Sequence, residues 1–166
     1  AGTIELDSVL QQIARSANQL IRSANQTILH LLDEKKTYLS AVAISGEQVS
    51  QKGPAINFRI GEGIAGMVLL SGQTINVPDV REDPRFIFKK SHVIPEIRSL
   101  LVAPVRTGNK NLGTLSVQSL FVSAFSPDDE RLLTLLGVQA AVAIEKAKLY
   151  ADLQSALEQE TATRAQ

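Results

Sequence analysis

The run that begins at Ser126 constrains this chain most. Ser126-Pro127-Asp128-Asp129 has the chemistry of a helix start. Ser126 can cap, Pro127 suits the first helical position because its missing N–H would have no intrahelical partner, and Asp128 and Asp129 face the positive end of the helix dipole. From Leu132 to Leu149 the run is apolar nearly all round: Leu132, Leu133, Leu135, Leu136, Val138, Val142, Ile144 and Leu149, with alanines between them. The pattern predicts a helix over 127–160, about 50 Å long at 1.5 Å per residue and longer than a small domain is wide. A helix apolar all round is buried on more than one side. One sheet can cover only one side, so the other must meet a second helix, from this chain or from a partner.

A candidate for that second helix opens the sequence. Over residues 3–24, Leu6, Leu10, Ile13, Ala17, Leu20 and Ala24 recur at alternating steps of four and three, an a/d seam suited to packing along another helix. A single amphipathic helix covering a sheet explains the same spacing. Val9 and Ile21 lie off the seam and suggest a second contact.

The sheet is read from two hairpins. Thr27–Leu32 and Thr37–Ile44 flank the charged turn Asp33-Glu34-Lys35-Lys36, and Ser99–Val105 and Leu112–Leu120 flank Thr107–Asn111, where Gly108 supplies a positive φ. A short antiparallel pair does not suit a parallel sheet. Between the hairpins come a loop over 46–55, an extended piece at 57–60, a short helix from Gly61-Glu62-Gly63 to about Leu70 closed by Ser71-Gly72, and a strand at 74–77 ended by Pro78. Residues 79–98 then interleave Phe86, Ile87, Phe88, Val93, Ile94 and Ile97 with Asp79, Arg81, Arg85, Ser91, His92 and Arg98. A segment that apolar must cover something: either the core itself or a pocket.

Composition limits the chemistry. The chain has 166 residues, enough for one domain with a real core. Its 17 basic and 17 acidic residues cancel, so nothing electrostatic favours nucleic acid or an anionic membrane. Apolar runs fall far short of a bilayer span. Cysteine is absent, which removes disulfides, thiolate metal sites and cysteine nucleophiles together. His30 and His92 are isolated, and no H-E-x-x-H or G-x-S-x-G occurs. Gly61, Gly63 and Gly66 fit G-x-G-x-x-G as a string, but no βαβ unit surrounds them; they read as a tight turn and a closely packed helix. We therefore expect no catalytic residue, no metal and no cofactor.

Gly61–Gly66, Asn76–Val80, Ser99–Val105 and Phe125–Leu133, taken in that order, resemble a GAF domain, the small-ligand sensor module of phosphodiesterases, phytochromes and bacterial signalling proteins. The likeness covers roughly residues 25–150. It implies an α+β fold: a central antiparallel sheet of about six strands, with the terminal helices on one face and short helices and loops over a pocket on the other. It implies a ligand beneath residues 79–98, walled by Asp79, Phe86, Phe88, Ile94, Arg98 and Leu100, with Thr114, Ser116 or Gln118 on the sheet. It implies a cytoplasmic module excised from a longer, bacterial two-component or related signalling protein, with residues 1–24 as a signalling helix and 151–166 as a linker to a further domain. The partner it implies is a second copy, in a parallel homodimer through Leu6, Leu10, Ile13, Leu20, Val142 and Leu149. Covalent bilin binding and methionine-sulfoxide reduction, known in the family, need cysteines that this chain lacks. The cyclic-nucleotide signature of the phosphodiesterase members is half met. Phe125, Asp129 and Glu130 match it, but Ser119 and Leu120 stand where Asn-Lys is expected. A ligand-free dimerising spacer remains the alternative to a sensor.

Overall fold

The computed structural model describes residues 2–46, 57–86 and 97–164. In chain order the elements are α1 (Gly2–Leu20), β1 (Gln26–Leu32), β2 (Tyr38–Gly46), β3 (Phe58–Arg59), α2 (Gly63–Ser71), β4 (Ile75–Val77), β5 (Ser99–Thr107), β6 (Lys110–Ser119) and α3 (Pro127–Arg164). The six strands form one sheet in the order β3-β2-β1-β6-β5-β4, and every neighbouring pair is antiparallel. This is the expected α+β architecture.

Two cores lie on opposite faces of that sheet. Leu29, Leu115, Val117, Leu101 and Ala103 point one way, where Leu10, Ala14, Ala17 and Ile21 meet Leu133, Ala140, Ala141 and Ile144. Thus α1 and α3 pack side by side on one face, which answers the demand that the all-round apolar helix made. On the other face Ile64 and Val68 of α2 meet Val77, Val80, Ile97, Leu100 and Val102.

The alternation has one break that the sequence hides. Leu29 pairs with Ala43 while His30 pairs with Ala41, so Val42 is an extra residue in β2. This bulge inverts the strand's parity. Leu39, four residues before Ala43, therefore joins Ala65 and Leu69 of α2, whereas Ala43 faces α1 and α3.

Helix ends follow their local chemistry. Ser126 Oγ accepts from the Asp129 N–H at 3.2 Å, and Asp129 Oδ2 accepts from the Ser126 N–H at 2.9 Å, a reciprocal capping box. Gly61 and Gly63 take φ of 80° and 66°, which supplies the tight turn before α2. Gly137 serves another purpose: a Cβ there would run into the Pro104 carbonyl oxygen, so its absence lets α3 settle on β5. Both terminal helices end elsewhere than expected, α3 at Arg164 instead of 160. α1 stops at Leu20 instead of 24, because Asn25 is already tied to the sheet. Its N–H donates to the Gln118 carbonyl at 2.8 Å, and its Oδ1 accepts from the Leu120 N–H at 2.9 Å.

The residues expected at a dimer seam separate. Leu10 is 3% exposed and belongs to the chain's own core, with Leu6 and Ile13 packed against it. Leu20, Val142 and Leu149 are exposed.

Candidate functional site

The face of the sheet opposite the terminal helices carries a buried cavity. Register determines what lines it. On β1, Gln26, Ile28 and His30 share one face; on β6, Gln118, Ser116 and Thr114 stand directly across from them in that order. The even-numbered residues of β5, Leu100 and Val102, continue the wall. Ile28, His30, Ser116 and Gln118 border the cavity from the sheet, Ile64 and Ala65 from α2, Phe58 from β3 and Phe86 from the segment after β4. The volume open to the centres of water molecules is about 30 Å³, space for about two waters.

The wall is apolar except for His30, Ser116 and Gln118; Gln26 and Thr114 share their sheet face and extend a polar column along the two central strands without bordering the cavity. Gln26, His30, Thr114, Ser116 and Gln118 are all at least nine-tenths buried. His30 lies edge-on to Phe58, with ring centroids 5.6 Å apart. Gln26 is 0% exposed, and neither its Nε2 nor its Oε1 has a hydrogen-bond partner; Thr114 Oγ1 has none either. A buried polar atom left without a partner costs about 1–3 kcal/mol, so this column is an expensive arrangement for a core that only needs filling.

The residues expected to hold a ligand fall into three groups. Phe86, Leu100 and Ser116 line the cavity. Asp79 and Arg98 do not. They pair with each other, Arg98 Nη2 to Asp79 Oδ2 at 3.0 Å, at the rim where the Val80 N–H donates to the Arg98 carbonyl and the Arg98 N–H donates to the Ser119 carbonyl. The Arg98 hydrogen bond holds the Asp79 carboxyl below the usual aspartate range. Phe88 and Ile94 lie outside the described residues. Ile28, His30, Phe58, Ile64, Ala65 and Val102 were not anticipated. His30 and Ile28 carry the one usable signal, since they alternate within a strand-like run. What hides them is that β1 neighbours β6, far away in sequence. Among the described residues no three His, Cys, Asp or Glu side chains gather as a metal site would require, and no helix is long and apolar enough to cross a membrane.

Known proteins place this arrangement. The family model described as GAF domain matches residues 3–145, and the chain belongs to the GAF family, a class of signalling and sensing modules. The probable 3',5'-cyclic phosphodiesterase pde-5 of Caenorhabditis elegans is 26% identical over 156 residues, covering 89% of this chain and 21% of that protein. The Nif-specific regulatory protein of Azospirillum lipoferum is 26% identical over 122 residues, 71% of this chain and 19% of that protein. The chain thus spans about one fifth of the length of these relatives. Among solved structures, free methionine-R-sulfoxide reductase from Neisseria meningitidis, in complex with its substrate, superposes with a TM-score of 0.71 at 19% identity, covering 87% of each chain. At that identity the likeness is one of fold.

Proposed function

We propose that this domain is a regulatory sensor. It binds a small molecule in the cavity beneath Phe86 and passes the effect through the sheet to α1 and α3, in a parallel homodimer within a larger cytoplasmic signalling protein. It is not an enzyme in this reading. The reductase likeness supplies no mechanism, because this chain has no cysteine to act as a redox nucleophile.

The composition of the cavity carries the ligand reading: His30, Ser116 and Gln118 are a few buried polar groups set among apolar walls, the usual composition of a small-molecule site. Differential scanning fluorimetry against a metabolite panel tests it, since a ligand at about a hundred times its Kd adds about 2.7 kcal/mol of stability. Native mass spectrometry of protein from its own host is the second test. A retained small molecule, or a saturable shift, supports the reading. An empty protein that no compound stabilises overturns it and leaves the spacer, which the small size of the cavity favours.

The dimer reading rests on α3. Leu135, Val138, Val142, Leu149, Leu153 and Leu157 are exposed at steps of three, four, seven, four and four, one stripe along the helix. It extends past Ile144, beyond which no described residue of α3 is buried. Beside it Val9 of α1 and Ala143, Ala147 and Tyr150 of α3 border a shallow groove. Two copies laid stripe to stripe would form a bundle of four helices.

A further inference from the structure

We infer that the exposed stripe of α3 is an 11-residue repeat that takes α3 of a second copy alongside it, parallel and nearly straight, with Lys146 as a charged core layer reaching Glu145 of the other copy. The inference rests on the dimer reading above and adds its geometry.

Spacing is the first observation. Between Val142 and Leu149 the stripe has a gap of seven residues, which either Glu145 or Lys146 could divide. Their surroundings decide. Glu145 turns toward the sheet, its Oε2 3.6 Å from Lys110 Nζ. Lys146 is exposed and borders the same shallow groove as Leu149 and Leu153. With Lys146 included, the steps from Leu135 to Leu157 read three, four, four, three, four, four. Leu135, Lys146 and Leu157 are thus eleven apart, as are Val138 and Leu149, and Val142 and Leu153. Eleven residues over three turns is about 3.67 per turn, so helices that meet along such a stripe run nearly straight, with a slight right-handed coil. A seven-residue repeat coils to the left. Drawn through Val142 and Leu149, it would continue at Ala156 in place of Leu157, and would hold Val138 or Leu153 but not both.

Charge names the occupant. α1 cannot cover the stripe, because its Leu10, Ala14, Ala17 and Ile21 are already packed in the chain's own core. A parallel pair about a twofold axis brings each layer against its own copy, and the leucine and valine layers match there without further requirement. The Lys146 layer does not. Two ammoniums repel, and each must turn aside on its apolar stem. In a parallel pair, the partner residue one earlier in sequence flanks a core position, and for Lys146 that residue is Glu145. Its Oε2 holds Lys110 and its Oε1 is open to a second cation. Symmetry forms this ion pair twice. A single lysine among apolar layers also fixes the register, at some cost in stability.

The chain has no cysteine, so single cysteines can be placed along α3 and their oxidation to symmetric disulfides compared. We expect maxima at 138, 149, 153 and 157. A maximum at 156 above 157, or the loss of either 138 or 153, overturns the 11-residue geometry and leaves the dimer. Cross-linking confined to one position marks an antiparallel pair and overturns it too. Sedimentation reads the charged layer. Lys146→Leu should tighten the dimer about tenfold. Lys146→Glu sets four carboxylates together and should weaken it about tenfold. Adding Glu145→Lys to Lys146→Glu should restore most of that loss, which a mere fault in the helix would not allow. An unchanged dimer in Lys146→Leu, or no rescue by the double variant, overturns the pairing. A parent chain that stays monomeric at high micromolar concentration brings down the inference and the dimer reading together.

Discussion

Asp79 shows how a residue chosen for one purpose serves another. The family resemblance made it a candidate ligand-lining residue, and the structure pairs it with Arg98 at the rim. The pair joins the end of β4 to the start of β5, where the backbone of Val80 and Arg98 is also bonded. Because the Arg98 hydrogen bond lowers the Asp79 carboxyl below the ordinary value of 3.8, the folded chain holds its proton less tightly than the unfolded one. The contribution is therefore complete above that value and lost as pH falls through the lower, folded pKa. Asp33, lowered chiefly by the Thr37 N–H, and Asp83, lowered chiefly by Arg85, act in the same direction. We expect the melting temperature to fall below about pH 4, and Asp79→Asn to flatten that limb while leaving neutral pH only slightly affected, as suits a pair still partly open to solvent. Thermal melts at pH 7 and pH 3 decide it; an unchanged acid limb in the variant would show that the pair contributes nothing.

At the scale of elements, two opposing effects meet at Gly137. Alanine favours a helix interior over glycine by about 1 kcal/mol, and on propensity alone Gly137→Ala should stabilise α3. The new Cβ, however, meets the Pro104 carbonyl oxygen, and forcing atoms into a packed interface costs about 1–3 kcal/mol. We expect a net loss, read as a lower denaturant midpoint; a gain would mean that α3 can lift off β5 without cost. Ser126→Ala, which opens the capping box, should cost about 1 kcal/mol, measured in the same way. Such elements were legible because their signals are local: a cap, a turn glycine, an alternating run. What was not legible depends on neighbours distant in the chain. The Val42 bulge leaves no mark in the alternation of β2, and the assignment of His30 to the cavity follows from its pairing with Thr114 of β6. The apolar seam of α1 was visible, but its spacing alone could not say whether Leu10 would meet its own sheet or a second chain.

For the whole molecule the open question is assembly. Leu149 and Leu153 are 69% and 66% exposed on a stretch of α3 that touches no core. Replacing both with lysine should leave circular dichroism and the melting temperature of the monomer unit nearly unchanged, since surface substitutions away from the core are worth about ±0.5 kcal/mol. It should shift sedimentation from a dimer to a monomer at micromolar concentration. A parent chain that already sediments as a monomer at high micromolar concentration would end the dimer reading.

The alternation of the central strands also has a historical reading. In the proposed sensor, positions 28, 30, 116 and 118 can be rewritten by mutation to suit a new chemical signal without altering any side chain under α1 and α3. Positions 29, 115 and 117 can be retuned to suit a new output without touching the cavity. Each strand thus carries two interleaved inheritances, separable residue by residue. If the sensor reading holds, a lineage built on such a sheet can exchange the molecule it answers to while keeping the answer, or keep the molecule and change what is done about it.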